Sequence, residues 1–154
     1  MKTSQVLGLL AALSHSAFSL YKSGTYQIGS AALSSSLVLS RTMDKESDSI
    51  LFEDNAHDDN TQVWNATASN ELPEYFYIYD LSNRFINCGT EEGTTCFLSH
   101  DSQFYRPELV GDNKYELVEQ ESGYFLRVNE DRQLQLAKWD QSPNEQFVFV
   151  EIQE

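Results

Sequence analysis

Three glutamines, Gln62, Gln103 and Gln146, stand 41 and 43 residues apart, each at the head of an aromatic-rich run. The runs read Gln62-Val63-Trp64, Gln103-Phe104-Tyr105 and Gln146-Phe147-Val148-Phe149. A recurrence of this length marks one supersecondary unit used three times. A unit so small cannot bury its own apolar face, so three of them must share one core. Beyond residue 20 no long stretch shows apolar residues at helical spacing. Short β-branched and aromatic runs dominate, separated by Gly, Asn, Asp and Ser. They predict strands over 25–28, 37–39, 50–52 and 62–64, then 75–79, 84–87, 96–98 and 103–105, then 115–118, 124–128, 134–136 and 146–149. Ser82-Asn83 and Asn129-Glu130-Asp131 are the expected turns, because Asx side chains bond locally and tolerate left-handed backbone.

The first nineteen residues are expected to lie outside the fold. Lys2, the apolar stretch 6–13 and the small residues Ala17 and Ser19 have the pattern of a secretory signal peptide cleaved near Ser19. The apolar stretch is far short of the ~20 residues that span a bilayer. A secreted, extracellular chain with one domain over 20–154 is therefore expected, with repeats at about 21–68, 69–110 and 111–154. Ten basic against 24 acidic residues give a formal charge of −14. Such a surface repels phosphate backbones and anionic lipid, so neither nucleic acid nor membrane insertion is expected.

In an oxidising compartment Cys88 and Cys96, separated by a stretch holding Gly89 and Gly93, are expected to close a disulfide across a hairpin. Asn65-Ala66-Thr67 makes Asn65 a candidate glycosylation site. No cofactor or metal is expected. The acidic stretch 53–60 is rich in oxygen ligands but lacks the spacing and fixed glycine of an EF-hand loop.

Three four-stranded units resemble an all-β fold, the β-trefoil, and specifically the ricin-B-type lectin family with its repeated Gln-x-Trp motif. Gln62-Val63-Trp64 matches that motif fully, Gln103-Phe104-Tyr105 matches with a substituted ring, and Gln146-Phe147-Val148 keeps the glutamine. The resemblance implies that the motif residues Gln62, Trp64, Gln103, Tyr105, Gln146 and Phe147 serve the core, with the rings filling the threefold centre. It also implies a sugar pocket made of a second-strand carboxylate, a ring at the end of the third strand, and an asparagine just before the motif glutamine. The first unit offers Phe52 as the ring and Thr61 before Gln62, but no acid within 37–39. The second offers Asn87, Leu98 and Ser102 at the three places. The third offers Arg127, Ala137 (with Trp139 two residues on) and Glu145. No unit keeps the full set, and the candidate carbohydrate site is the first, with Phe52, Asp54, Asp59 and Asn60.

No nucleophile elbow, zinc-binding histidine spacing or phosphate loop is present, so catalysis is not expected. The chain reads as a secreted β-trefoil that binds carbohydrate or a glycoprotein through a modified site. The alternative is a protein-binding module, such as a hydrolase or protease inhibitor or an effector-like interaction protein. Its probing loops would be the charged segment 40–49 and the connection 107–113.

Overall fold

A computed structural model of the chain describes residues 23–42, 48–57 and 59–153. The proposed signal segment and residues 43–47 of the charged 40–49 segment lie outside the described residues. Among the described residues the alternating runs form twelve strands. The first unit supplies β1 (Gly24–Ser30), β2 (Leu37–Arg41), β3 (Ile50–Asp54) and β4 (Trp64–Ala68). The second supplies β5 (Phe76–Tyr79), β6 (Phe85–Asn87), β7 (Phe97–Ser99) and β8 (Tyr105–Gly111). The third supplies β9 (Lys114–Glu119), β10 (Phe125–Val128), β11 (Leu134–Ala137) and β12 (Phe147–Glu151).

Antiparallel pairing runs β1–β4–β5–β8–β9–β12 and returns to β1, closing a six-stranded barrel. Closure leaves the barrel without a free edge. The other six strands make three hairpins, each tied to the barrel through the first strand of its unit. Backbone bonds link the hairpins to one another, from Phe52 N–H to the Arg132 carbonyl, Leu98 N–H to Asp48 and Cys96 N–H to Leu134. A closed barrel with a cap of three linked hairpins is the β-trefoil.

Alternation within the barrel strands sends one face inward: Tyr26 and Ile28, Trp64 and Ala66, Phe76 and Ile78, Tyr115 and Leu117, Phe147 and Phe149 are all buried. Phe149 sits among Tyr26, Phe76 and Tyr115 with edge-on rings at 5.7, 6.3 and 5.9 Å. The polar atoms of the motif rings find partners in the second strand of their own units. Trp64 Nε1–H donates to the Leu39 carbonyl at 2.8 Å. The Tyr105 hydroxyl proton is shared between the Ile86 carbonyl and Gln103 Oε1. Burial of Tyr105 holds its phenol well above the usual range.

The motif glutamines do not begin the strands. Gln62 closes a 3-10 turn, Asn60–Gln62, and β4 starts two residues later at Trp64. The third motif is displaced by one residue from its sequence reading. The matching turn is Pro143–Glu145, so Glu145-Gln146-Phe147 is the counterpart of Gln62-Val63-Trp64. Phe147 is 1% exposed, whereas Gln146 is only partly buried. A one-residue slip along a strand exchanges inward and outward faces, so burial decides the register.

Cys88 and Cys96 are joined in a disulfide across the β6–β7 hairpin. The turn from first to second strand carries a buried acceptor in every unit. Ser30 takes the Ala32 N–H, Asp80 takes those of Ser82 and Arg84, and Glu119 takes those of Glu121 and Ser122. The expected turn residues behave as read: Asn83 adopts φ 59°, and Asn129 Oδ1 accepts from Asp131 and Gln133. The segment 107–113 is not a loose connection, because β8 continues to Gly111 and pairs with β9 around a turn at Asn113.

Candidate functional site

In the first unit the structure separates the four candidate residues. Phe52 is fully buried and its ring stacks on Phe147 at 6.4 Å, so it belongs to the core and offers no face to a ligand. Asp54 is exposed, and its backbone carbonyl accepts from Gln62 Nε2 at 2.8 Å. Asp59 caps the 3-10 turn by accepting the Thr61 N–H at 2.8 Å. That bond, aided by the Thr61 hydroxyl and the Arg41 charge, holds its carboxyl below the ordinary carboxylate range. Asp59 and Asn60 do line a common cleft, about 380 Å³ in volume, with Gln27, His57, Val63 and Ile152. No Phe, Tyr or Trp lines this cleft, and its Gln27 donates from Nε2 to Asn55 Oδ1 at 3.2 Å.

The third unit carries what the first lacks. Its 3-10 turn repeats the local chemistry of the first: Ser142 caps it by accepting the Asn144 N–H, as Asp59 accepts that of Thr61. Gln62 accepts the Ala56 N–H at 2.9 Å, and Glu145 accepts the Asp140 N–H with both oxygens, at 3.1 and 3.2 Å. In this register Asn144 immediately precedes the motif residue, and Trp139 immediately precedes Asp140, whose amide is held as that of Ala56 is. Asn144 therefore occupies the amide position that the sequence reading assigned to Glu145.

Trp139 is 52% exposed yet held on two sides. Its Nε1–H donates to Glu116 Oε1 at 3.3 Å, and its ring leans on Phe125 with centroids 6.3 Å apart at 30°. Glu116 is 5% exposed and lies on β9, Phe125 and Arg127 lie on β10, and the Pro143–Glu145 turn packs against β10. Arg127 Nη2 pairs with Asp140 Oδ2 at 2.9 Å, one residue along the chain from the indole. Hydrogen bonds from Ser142, then the charge of Arg127, hold the Asp140 carboxyl below its ordinary range. The result is a half-open aromatic plate held by Glu116 and Phe125, with the Arg127–Asp140 pair beginning at the next residue in the chain and Asn144 on the turn that packs against β10. Such a plate can take the C–H face of a pyranose while neighbouring polar groups bond to its hydroxyls.

Sequence reasoning reached Arg127 and noticed Trp139 but placed neither in a site. The signal that would have found them is an acid where the motif expects glutamine, since it reveals the one-residue shift.

Glu145 itself is fully buried, and burial raises its pKa, with the charges of Asp140 and Glu116 adding to the rise against the Asp140 N–H bond and the Arg127 charge. A carboxyl whose pKa is higher in the folded state stabilises fully only below its unfolded value, here 4.5. That contribution is lost as pH rises through the raised folded value. Asp140 acts oppositely and only below its own unfolded value of 3.8, so the two windows do not overlap. Glu145→Gln restores the amide found in the other two units. It should stabilise the domain at pH 7 by on the order of 1 kcal/mol, with the gain vanishing near pH 4. Urea denaturation at the two pH values measures this, and an equal effect at both would refute it.

No protein-family model matches the sequence, and no curated protein matches it significantly. Solved structures do. A designed threefold-symmetric protein, ThreeFoil, superposes with a TM-score of 0.71 at 19% identity, covering 84% of this chain and 99% of its own. The Rhizoctonia solani agglutinin gives 0.73 at 12% identity, covering 86% and 97%. A Macrolepiota procera ricin B-like lectin, solved with lactose, gives 0.70 at 13% identity, covering 86% and 98%. At these identities the likeness establishes the fold: the chain is a β-trefoil of the kind seen in ricin B-like lectins.

Proposed function

We propose that this chain is a secreted, non-enzymatic carbohydrate-binding β-trefoil whose site lies in the third unit, on Trp139. The observation that carries the reading is an indole half open to solvent but pinned by Glu116 and Phe125. A side chain ordered in this way loses little freedom when a ligand stacks on it. The lactose complex of a structural neighbour supports the same ligand class. The carboxylates of Glu116 and Asp140 and the overall charge of −14 favour neutral saccharides over sialylated or sulfated ones.

A glycan array with the chain from about residue 20, followed by titration of the strongest hit, tests the reading. Trp139→Ala should weaken that hit at least about 30-fold, a loss of ~2 kcal/mol. Because removal also strips the buried Glu116 carboxylate of its indole donor, Trp139→Ala should cost about 1–2 kcal/mol of stability and leave the domain folded. Retained affinity in the variant would move the site to the Asp59–Asn60 cleft. Silence across the array would favour a protein partner instead. The exposed Leu109 and Val110 at the tip of the β8–β9 hairpin support that second reading.

A further inference from the structure

The outer face of the barrel carries an aromatic cluster that neither the core nor the Trp139 site uses. Tyr77 and Tyr79 point outward from β5, alternating with the buried Phe76 and Ile78. Phe85 and Phe104 join them: Tyr77 lies 5.7 Å from Tyr79, 5.5 Å from Phe85 and 5.9 Å from Phe104, and Tyr79 lies 5.7 Å from Phe85. All four rings are half-buried. The neighbouring strand, β4, holds Asn65-Ala66-Thr67, and the ladder sets Asn65 opposite Tyr79 and Thr67 opposite Tyr77. Directly paired residues share a face, with Cβ atoms about 5 Å apart. Thr67 Oγ1 lies 3.2 Å from the Tyr79 hydroxyl. On the other side of β4, Thr25 Oγ1 donates to Asn65 Oδ1 at 3.0 Å.

We propose that Asn65 carries an N-linked glycan and that the Tyr79 edge of the ring cluster is the seat of its first N-acetylglucosamine. The transfer is the ordinary one for this sequon. Asn65 Nδ2 forms a bond to C1 of an oligosaccharide carried on a polyprenyl diphosphate, the bond from C1 to the diphosphate oxygen breaks, the amide gives up one proton, and the lipid diphosphate leaves. Because Asn65 is half-buried between β1 and β5, transfer precedes closure of the barrel. The sugar then covers ring surface that the polypeptide leaves open, its C–H face against Tyr79. This rests on the secretory route proposed above but not on sugar recognition at Trp139. A protein with an occupied Asn65 and a silent glycan array would therefore uphold one and reject the other.

The test uses the full chain secreted from a eukaryotic host and trimmed by endoglycosidase to a single N-acetylglucosamine, with occupancy read by intact mass. In the proton spectrum the acetyl methyl and ring protons of that sugar should move upfield of their free-glycopeptide positions and show contacts to the Tyr79 ring. Tyr79→Ser should abolish both signatures. Tyr79→Leu serves as a second variant that preserves apolar bulk: it should abolish the upfield shift while the sugar protons keep contacts to the aliphatic side chain at position 79. The single sugar should also raise the thermal midpoint by about 2–4 °C over Asn65→Gln, and this increment should disappear in the Tyr79→Ser background. An unmodified Asn65, unshifted sugar protons, or an increment that survives Tyr79→Ser would each overturn the proposal.

Discussion

Trp64→Ala should lower the stability of the domain by about 3–5 kcal/mol, the range for truncating a fully buried large aromatic. Trp64 is 0% exposed and fills the barrel end of the first unit. Its removal leaves a cavity and also strips the Leu39 carbonyl of its indole donor. Against a typical total of 5–15 kcal/mol, that loss removes much of the margin of folding. Urea denaturation followed by circular dichroism measures it. A cost below about 1 kcal/mol would mean that the ring is not the structural keystone of its unit. The two tryptophans of the chain thus divide cleanly: one substitution should unfold without bearing on a ligand, and the other should remove a ligand without unfolding.

Asp80→Ala should be comparably damaging, at about 3–5 kcal/mol. Asp80 is 1% exposed and sits at the turn between β5 and β6. Its Oδ1 accepts the Ser82 and Arg84 N–H groups, both at 2.9 Å. Its Oδ2 meets the Arg84 guanidinium at 3.0 and 3.2 Å and Arg41 Nη1 at 3.3 Å, so one carboxylate ties the turn of the second unit to β2 of the first. Alanine leaves two turn amides without their acceptor and takes one anionic partner from two half-buried guanidinium groups, which keep only Ser82 (Arg41) and Asp48 (Arg84). Asp80→Asn keeps one oxygen for the turn amides and should cost roughly half as much. Chemical denaturation of the two variants separates the charge from the turn. Equal costs would show that the guanidinium contacts contribute little.

The fold was legible in the sequence because its signals are collective. Twelve short runs and three recurring motifs survive an error in any one of them, and all twelve predicted runs overlap a strand. The site depends on single residues and was less legible. Phe52 looked like a ligand platform because its position in the third strand was right, while the pleat that turns it inward onto Phe147 is set by cross-strand register. Gln146 looked like the third motif glutamine because only one residue type was being matched. The buried acid at Glu145, which does the same backbone-holding task, was invisible to that match. Trp139 emerges only when the turn at Pro143–Glu145 aligns the third unit on the first. The internal acceptors Asp80 and Glu119 could not be told from solvated acids in a chain with 24 of them.

The most direct test of sugar binding at Trp139 exploits the presence of just two tryptophans. In a nitrogen–proton correlation spectrum the chain should give two indole signals, one from Trp64 in the core and one from Trp139 at the proposed site. Titration with lactose, and then with the strongest glycan from the array, should move the Trp139 signal in a saturable way while the Trp64 signal stays fixed. A fixed Trp139 signal together with shifts at the amides of Gln27, His57 and Asn60 would place the sugar in the first unit and contradict a binding site on Trp139.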